Sequence, residues 1–155
     1  MSDKELAADG HHHAVRERRD TLMATRHEVK VRRIYEDPLE TDGTRILVDR
    51  LWPRGLSKEK AHFDEWCKAV APSAELRKWY GHDPGLFEDF SRRYRRELKE
   101  PEPAAALSRL RSLAGQGPLT LLTATREPAI SEAAVLCALI RESLQRPVSG
   151  HGPSR

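Results

Sequence analysis

One acidic and two guanidinium side chains, Asp49, Arg50 and Arg54, fall within the run Val48-Asp49-Arg50-Leu51-Trp52-Pro53-Arg54-Gly55. Arginine grips a carboxylate or a phosphate with two parallel hydrogen bonds and keeps its charge. An aspartate beside such arginines stays ionised and orients them. The chemistry this spacing offers is recognition of a small anionic ligand by Arg50 and Arg54, oriented by Asp49 and enclosed by Trp52 and, further along the chain, His82. The same residues also suit a plainer arrangement, a structural ion pair with Trp52 packed over it.

His82, next to Asp83, is the second residue that could do chemistry, because imidazole exchanges a proton near neutral pH. No nucleophile adjoins it in sequence, and a histidine in a turn also serves to cap or pack. Asp49 and His82 are therefore the catalytic candidates. Arg50, Trp52, Arg54 and Thr123 are the candidates for holding a ligand.

These residues need a frame. Val29 to Tyr35 and Arg45-Ile46-Leu47-Val48-Asp49 read as two strands separated by the turn-rich segment 37–43. Pro53 and Gly55 then make residues 50–55 a loop at a strand end. Ser57 is expected to cap a helical turn, and Phe63, Trp66, Cys67 and Val70 recur at helical spacing until Pro72. Ser73 is a suitable cap for a short helix carrying Leu76, Trp79 and Tyr80, closed at Gly81. Asp83-Pro84 opens another, with Phe87, Phe90, Tyr94 and Leu98 on one face, ended by Glu100-Pro101. A further helix is expected from Ala104 to Ala114 with Gly115 as its cap. Leu119 to Ala124 reads as a buried strand and Ile130 to Leu144 as the last helix.

Strands alternating with helices predict an α/β fold: a single small domain, residues 28–146, whose mostly parallel sheet is covered by helices on both faces. In such sheets ligands bind at the C-terminal strand ends, where Asp49 to Gly55 would lie. Residues 1–27 lack spaced apolar side chains and are expected to be a disordered tail, as are residues 147–155; Met23 is an alternative start. His11-His12-His13 on such a tail does not define a metal site.

Several motifs in order resemble the YeaO-like branch of the domain-of-unknown-function 488 family. They are Val48 to Gly55, then Ala71-Pro72-Ser73-Ala74-Glu75-Leu76-Arg77-Lys78-Trp79, then Gly81-His82-Asp83-Pro84, then Phe90, Tyr94 and Glu97-Leu98. The strand Leu119 to Ala124 continues the match. The resemblance implies a family and the place of a site, with no assigned reaction. It also exposes a departure. The broader family commonly has Leu-Leu-Cys-Ala-Glu at this strand and Cys-His-Arg later, and the YeaO-like branch has Tyr and Asn-His there. Here the matching positions are Thr123 and Ser131-Glu132, which removes a thiolate mechanism at the strand end and leaves any later acid or base role to Glu132. Thr123, Thr125, Arg126 and Glu127 either complete a polar pocket or cap the last helix.

Composition narrows the rest. With 27 basic and 24 acidic residues the net charge is only +3, weak grounds for a nucleic-acid surface. The basic stretch Ser91 to Lys99 is undercut by spacing, since Glu88/Arg92 and Asp89/Arg93 sit four apart on the polar side of a helix. Cys67 and Cys137 are too few and too far apart for a disulfide framework or a zinc knuckle, and both fall on apolar stretches. No glycine-rich phosphate loop, paired-histidine metal motif or Gly-x-Ser-x-Gly elbow occurs, so no cofactor or metal is expected. No window approaches the roughly 18 apolar residues of a membrane helix, so no membrane association and a cytoplasmic location are expected. The functional expectation is a small anionic ligand at Asp49 to Gly55, with enzymatic turnover left open. The alternative is a non-catalytic nucleic-acid- or partner-binding regulatory module. Oligomeric state is not readable.

Overall fold

The computed structural model describes residues 28–145. The two expected tails and the alternative start at Met23 fall outside them. Strands β1 (Val29–Arg33), β2 (Thr44–Leu47), β3 (Glu65–Trp66) and β4 (Leu119–Thr123) form one sheet in the order β1-β4-β2-β3, every pairing parallel. Four α-helices complete the α/β fold: α1 (Ala74–Tyr80), α2 (Phe87–Glu97), α3 (Pro101–Gln116) and α4 (Glu132–Gln145). Strand β4 is buried along its whole length. That is the position a nearly continuous apolar run is suited to, between two neighbours in a parallel sheet.

Alternate residues of the strands face opposite ways. Val29, Ile46, Val48, Leu119 and Leu121 share one core with side chains from all four helices. Helix α2 presents Phe90 and Tyr94 to it, and Leu98 follows at the helix end. Burying side chains of this size contributes roughly 1.5–3 kcal/mol each. Phe90 stacks between Tyr80 and Tyr94, with ring centroids at 4.2 and 5.6 Å. The charged side of α2 behaves as its spacing suggests in character, though the partners differ. Arg92 pairs with Asp89, Arg93 lies over the Trp79 ring, and Arg95 reaches Glu142 on α4.

Among the described residues the opposite face carries no α-helix. Leu47, Leu122 and Ile34 are covered there by Trp52, Leu56, Ala61, Phe63 and Trp66 from the long β2–β3 connection. The helix expected between Ser57 and Pro72 is therefore absent. Residues 57–60 make a turn, and Glu65–Trp66 pairs with β2 as an edge strand. The physical reason is non-local: Asp64 N–H donates to Arg45 O and Cys67 N–H to Leu47 O, each at 2.8 Å, so β2's free edge captures a segment whose side-chain spacing suits a helix equally well. Further along this face Asp42 is buried among Lys30, Arg32 and Arg45, at 3.0, 2.8 and 2.5 Å. Burial alone would raise its pKa. The Leu39 N–H and the three cations outweigh that and hold its carboxyl well below the usual range.

Three boundaries also shift. Helix α3 begins at Pro101 because proline is tolerated in a first turn, where no N–H partner is required, and it runs through Gly115 to a cap at Gly117. A 3-10 turn, Pro128–Ile130, precedes α4. Helix α1 starts where Ser73 predicts: its Oγ accepts from Leu76 N–H at 3.1 Å and donates to Glu97 at 2.6 Å. Among the described residues, no helix is long and apolar enough to cross a membrane.

Candidate functional site

A cavity of about 330 Å³ opens at the C-terminal ends of the two central strands, β2 and β4. That is where a parallel sheet flanked by helices ordinarily leaves room for a ligand. Asp49, Arg50, Trp52, Arg54, His82 and Thr123 all line it.

Asp49 lies two residues beyond β2, and Thr123 is the last residue of β4. Their side chains meet. Thr123 Oγ1 donates to Asp49 Oδ1 and Ala124 N–H to Oδ2, both at 2.8 Å, so the carboxylate ties one strand end to the other. The Asp49 carbonyl in turn accepts from the Trp66 indole at 2.7 Å. Asp49 is therefore anchored by neutral donors and makes no salt bridge with Arg50 or Arg54 among the described residues, unlike the ion pair considered from sequence. Thr123 finishes the pocket and takes no part in capping α4, where Ser131 Oγ accepts from Ala134 N–H.

Of the two loop guanidiniums only that of Arg50 has a partner. It donates Nε–H to Pro72 O at 2.9 Å, its terminal nitrogens have none among the described residues, and it borders both this cavity and a neighbouring one lined by Glu97, Glu100 and Glu102. Arg54 stands exposed at the rim, its carbonyl accepting from the Tyr35 hydroxyl at 3.2 Å. Trp52 is a wall more than a lid. Its indole donates to Leu56 O at 2.5 Å, and its ring packs edge-on against Phe63 and Trp66, with centroids at 5.4 and 5.3 Å. His82 sits on the far rim with a left-handed backbone, φ 58°, after Gly81 at φ 55°. Its Nδ1 lies 3.5 Å from Thr125 Oγ1.

Two further side chains line the cavity, one of them Glu132, to which the sequence leaves any later acid or base role. Arg77, on α1, lines the cavity, and its buried Nε has no hydrogen-bond partner. Its signal in the sequence is an arginine beside the apolar pair Leu76 and Tyr80, a cation drawn toward the buried side of a short helix. Glu132, the first residue of α4, meets Asp49. Burial, the hydrogen bond with Asp49 and that group's negative charge push the Glu132 carboxyl well above the ordinary range, and Arg77 only partly opposes them. Tyr80 and Phe90 close the apolar side, and burial lifts the Tyr80 phenol to about 12, its hydroxyl donating to Ile130 O at 2.6 Å.

The arrangement places three guanidiniums and two carboxyl groups, those of Asp49 and Glu132, around one recess with apolar walls. Both cysteines lie away from it, buried and free, and burial raises each thiol. No His, Cys, Asp and Glu cluster suited to a metal occurs among the described residues.

Residues 28–155 match the model of a family described as the inactive DUF488-N3 subclade. The chain is 48% identical over 118 residues to the uncharacterized protein Rv3073c of Mycobacterium tuberculosis strain H37Rv, an alignment covering 76% of this chain and 98% of that protein. An equal match is found in the uncharacterized protein Mb3100c of Mycobacterium bovis. The uncharacterized protein YeaO of Escherichia coli K12 is 38% identical over 113 residues, covering 73% of this chain and 96% of YeaO. No solved structure matches the chain.

Proposed function

We propose, from the premise that this chain belongs to the YeaO-like DUF488 family and within it to the inactive DUF488-N3 subclade, that its strand-end cavity binds a small anionic ligand without turning it over. One observation carries the reading: Arg50, Arg54 and Arg77 converge on one recess, and none has a carboxylate partner within salt-bridge distance among the described residues. Guanidiniums without counter-ions favour an incoming anion, and two or three of them can grip a planar or tetrahedral oxyanion bidentately. The lack of turnover has two supports. Thr123 at the strand end bonds to Asp49 and offers no thiolate, and the subclade is described as inactive.

Nucleic-acid binding gains no comparable support. On α2, the helix that suggested it, Arg92 and Arg95 pair with acids and Arg93 lies over Trp79.

The test is a panel of inorganic phosphate, sulfate, glycolate and citrate, applied to the purified chain at constant ionic strength and followed by calorimetry and thermal unfolding. A saturable heat and a stabilisation of about 2.7 kcal/mol at a hundred times Kd are expected for at least one anion. Both should be lost in Arg77→Ala and weakened in Arg54→Ala. An anion-independent melting curve across the panel, or full binding by Arg77→Ala, would refute the reading.

A further inference from the structure

Resting on that anion-binding reading, the geometry points to a more specific ligand class: we infer that the cavity selects an oxyanion bearing its own hydroxyl proton, with hydrogen phosphate as the simplest member, over a fully ionised one such as sulfate.

The argument starts from what the cavity floor presents. Arg50, Arg54 and Arg77 supply only donors, because a guanidinium has no acceptor. Asp49 supplies only acceptors. Thr123 and Ala124 occupy one lone pair on each of its oxygens, leaving further lone pairs on a group that lines the cavity. Glu132 borders the same cavity, and burial with the neighbouring Asp49 pushes its carboxyl above the ordinary range. What Asp49 shows to a ligand is therefore oxygen lone pairs. An anion seated among the arginines brings at least one oxygen to this floor.

Sulfate at neutral pH has no proton, so its oxygen would meet the lone pairs of Asp49 with nothing between them. Phosphate keeps a proton and donates it to Asp49 while its other oxygens accept from the arginines. Two like acceptors forced together in a partly desolvated site cost far more than a weak hydrogen bond gains, because neither group can return to water. Discrimination built on a missing donor is consequently larger than discrimination by size. The recess, near the lower end of the roughly 300–1,000 Å³ common for ligand pockets, leaves space beyond the anion against Trp52, Tyr80 and Phe90. A phosphate monoester with a compact organic group therefore fits the same description as free phosphate.

The experiment compares inorganic phosphate with sulfate on the wild-type chain by calorimetry at pH 6 and matched ionic strength. At that pH phosphate is mainly a monoanion and sulfate a dianion, so charge alone favours sulfate. Phosphate binding at least tenfold tighter is the expected result, and methyl phosphate shows whether the compact ester is accepted as well as the free ion. Equal affinities, or a sulfate preference, would overturn the selectivity while leaving the anion site standing. Failure of every anion in the panel would overturn both. In Asp49→Asn the phosphate preference should fall to near unity, because the amide supplies a donor to sulfate; retention of the full preference in a folded Asp49→Asn refutes the assignment. Should that variant not fold, the wild-type ratio at pH 6 decides alone.

Discussion

Replacing Glu132 by Gln tests whether a proton is stored beside Asp49. Glu132 has an ordinary value of 4.5, and in the folded chain burial and Asp49 hold it well above that. The folded state then keeps a proton that the unfolded chain releases. Unfolding is favoured as protons become scarcer, so the contribution is fully present below pH 4.5 and is lost as pH rises toward the folded value. The difference between the two proteins should grow as pH rises above 4.5, at up to about 1.4 kcal/mol per pH unit for as long as the folded chain keeps the proton. Against a typical total of roughly 5–15 kcal/mol this is easily measured. The groups around Glu132 do not confuse the window: Arg77 keeps its charge, and burial puts the Tyr80 and Tyr94 phenols far above it. Asp42, whose carboxyl is held low, loses its stabilisation only as pH falls below about 3.8. The assay is urea unfolding at pH 5, 6 and 7, read by tryptophan fluorescence in a buffer free of oxyanions. Glu132→Gln keeps a donor toward Asp49 but cannot ionise, so its stability should be flatter across this range by about the stated slope, with histidines common to both chains cancelling in the difference. Parallel pH dependences in the two proteins would show that no proton is held there.

Two further substitutions probe the frame that carries the site. Asp42→Asn removes the counter-charge shared by Lys30, Arg32 and the buried Arg45, and should cost about 3–5 kcal/mol in the denaturant midpoint, since Arg45 is left charged and buried; a loss under about 1 kcal/mol would mean the cluster is solvated. Gly43→Ala places a Cβ 2.1 Å from the Pro118 carbonyl oxygen at a backbone φ of +64°, just where Thr44 N–H bonds that oxygen. Strain of about 1–3 kcal/mol, plus loosened β2–β4 pairing, should lower the melting temperature, and an unchanged one would refute the close approach.

Strand β4, helices α1 and α2, and the loop at Asp49 are readable from the chain because local signals and tertiary packing agree there: an unbroken apolar run, a Ser73 cap, aromatic residues one turn apart; Asp83-Pro84 opens a 3-10 turn, Pro84–Leu86, that leads into α2 at Phe87. The segment before Pro72 is not. Phe63, Trp66, Cys67 and Val70 satisfy a helical period, yet Phe63 and Trp66 pack beside Trp52 while Cys67 and Val70 enter the helical core on the other side of the sheet. A segment that serves both faces of a sheet cannot be told from a helix by spacing alone. Proline misleads at α3 for the opposite reason, since Pro101 and Pro103 occupy a first turn where they do no harm. Within the site, Asp49, Arg50 and Arg54 are conspicuous because they crowd one loop. Arg77 and Glu132 reach the same recess from α1 and α4, and only the assembled fold brings those helix ends together.

The pair of hydrogen bonds that Asp49 accepts from Thr123 and Ala124 sets a clock as well as a geometry. The Ala124 amide hydrogen is fixed on the carboxylate that would meet a ligand, so it exchanges with deuterium only when the two central strand ends part. Its exchange lifetime measures how often the floor of the recess opens, and an occupied recess would lengthen it.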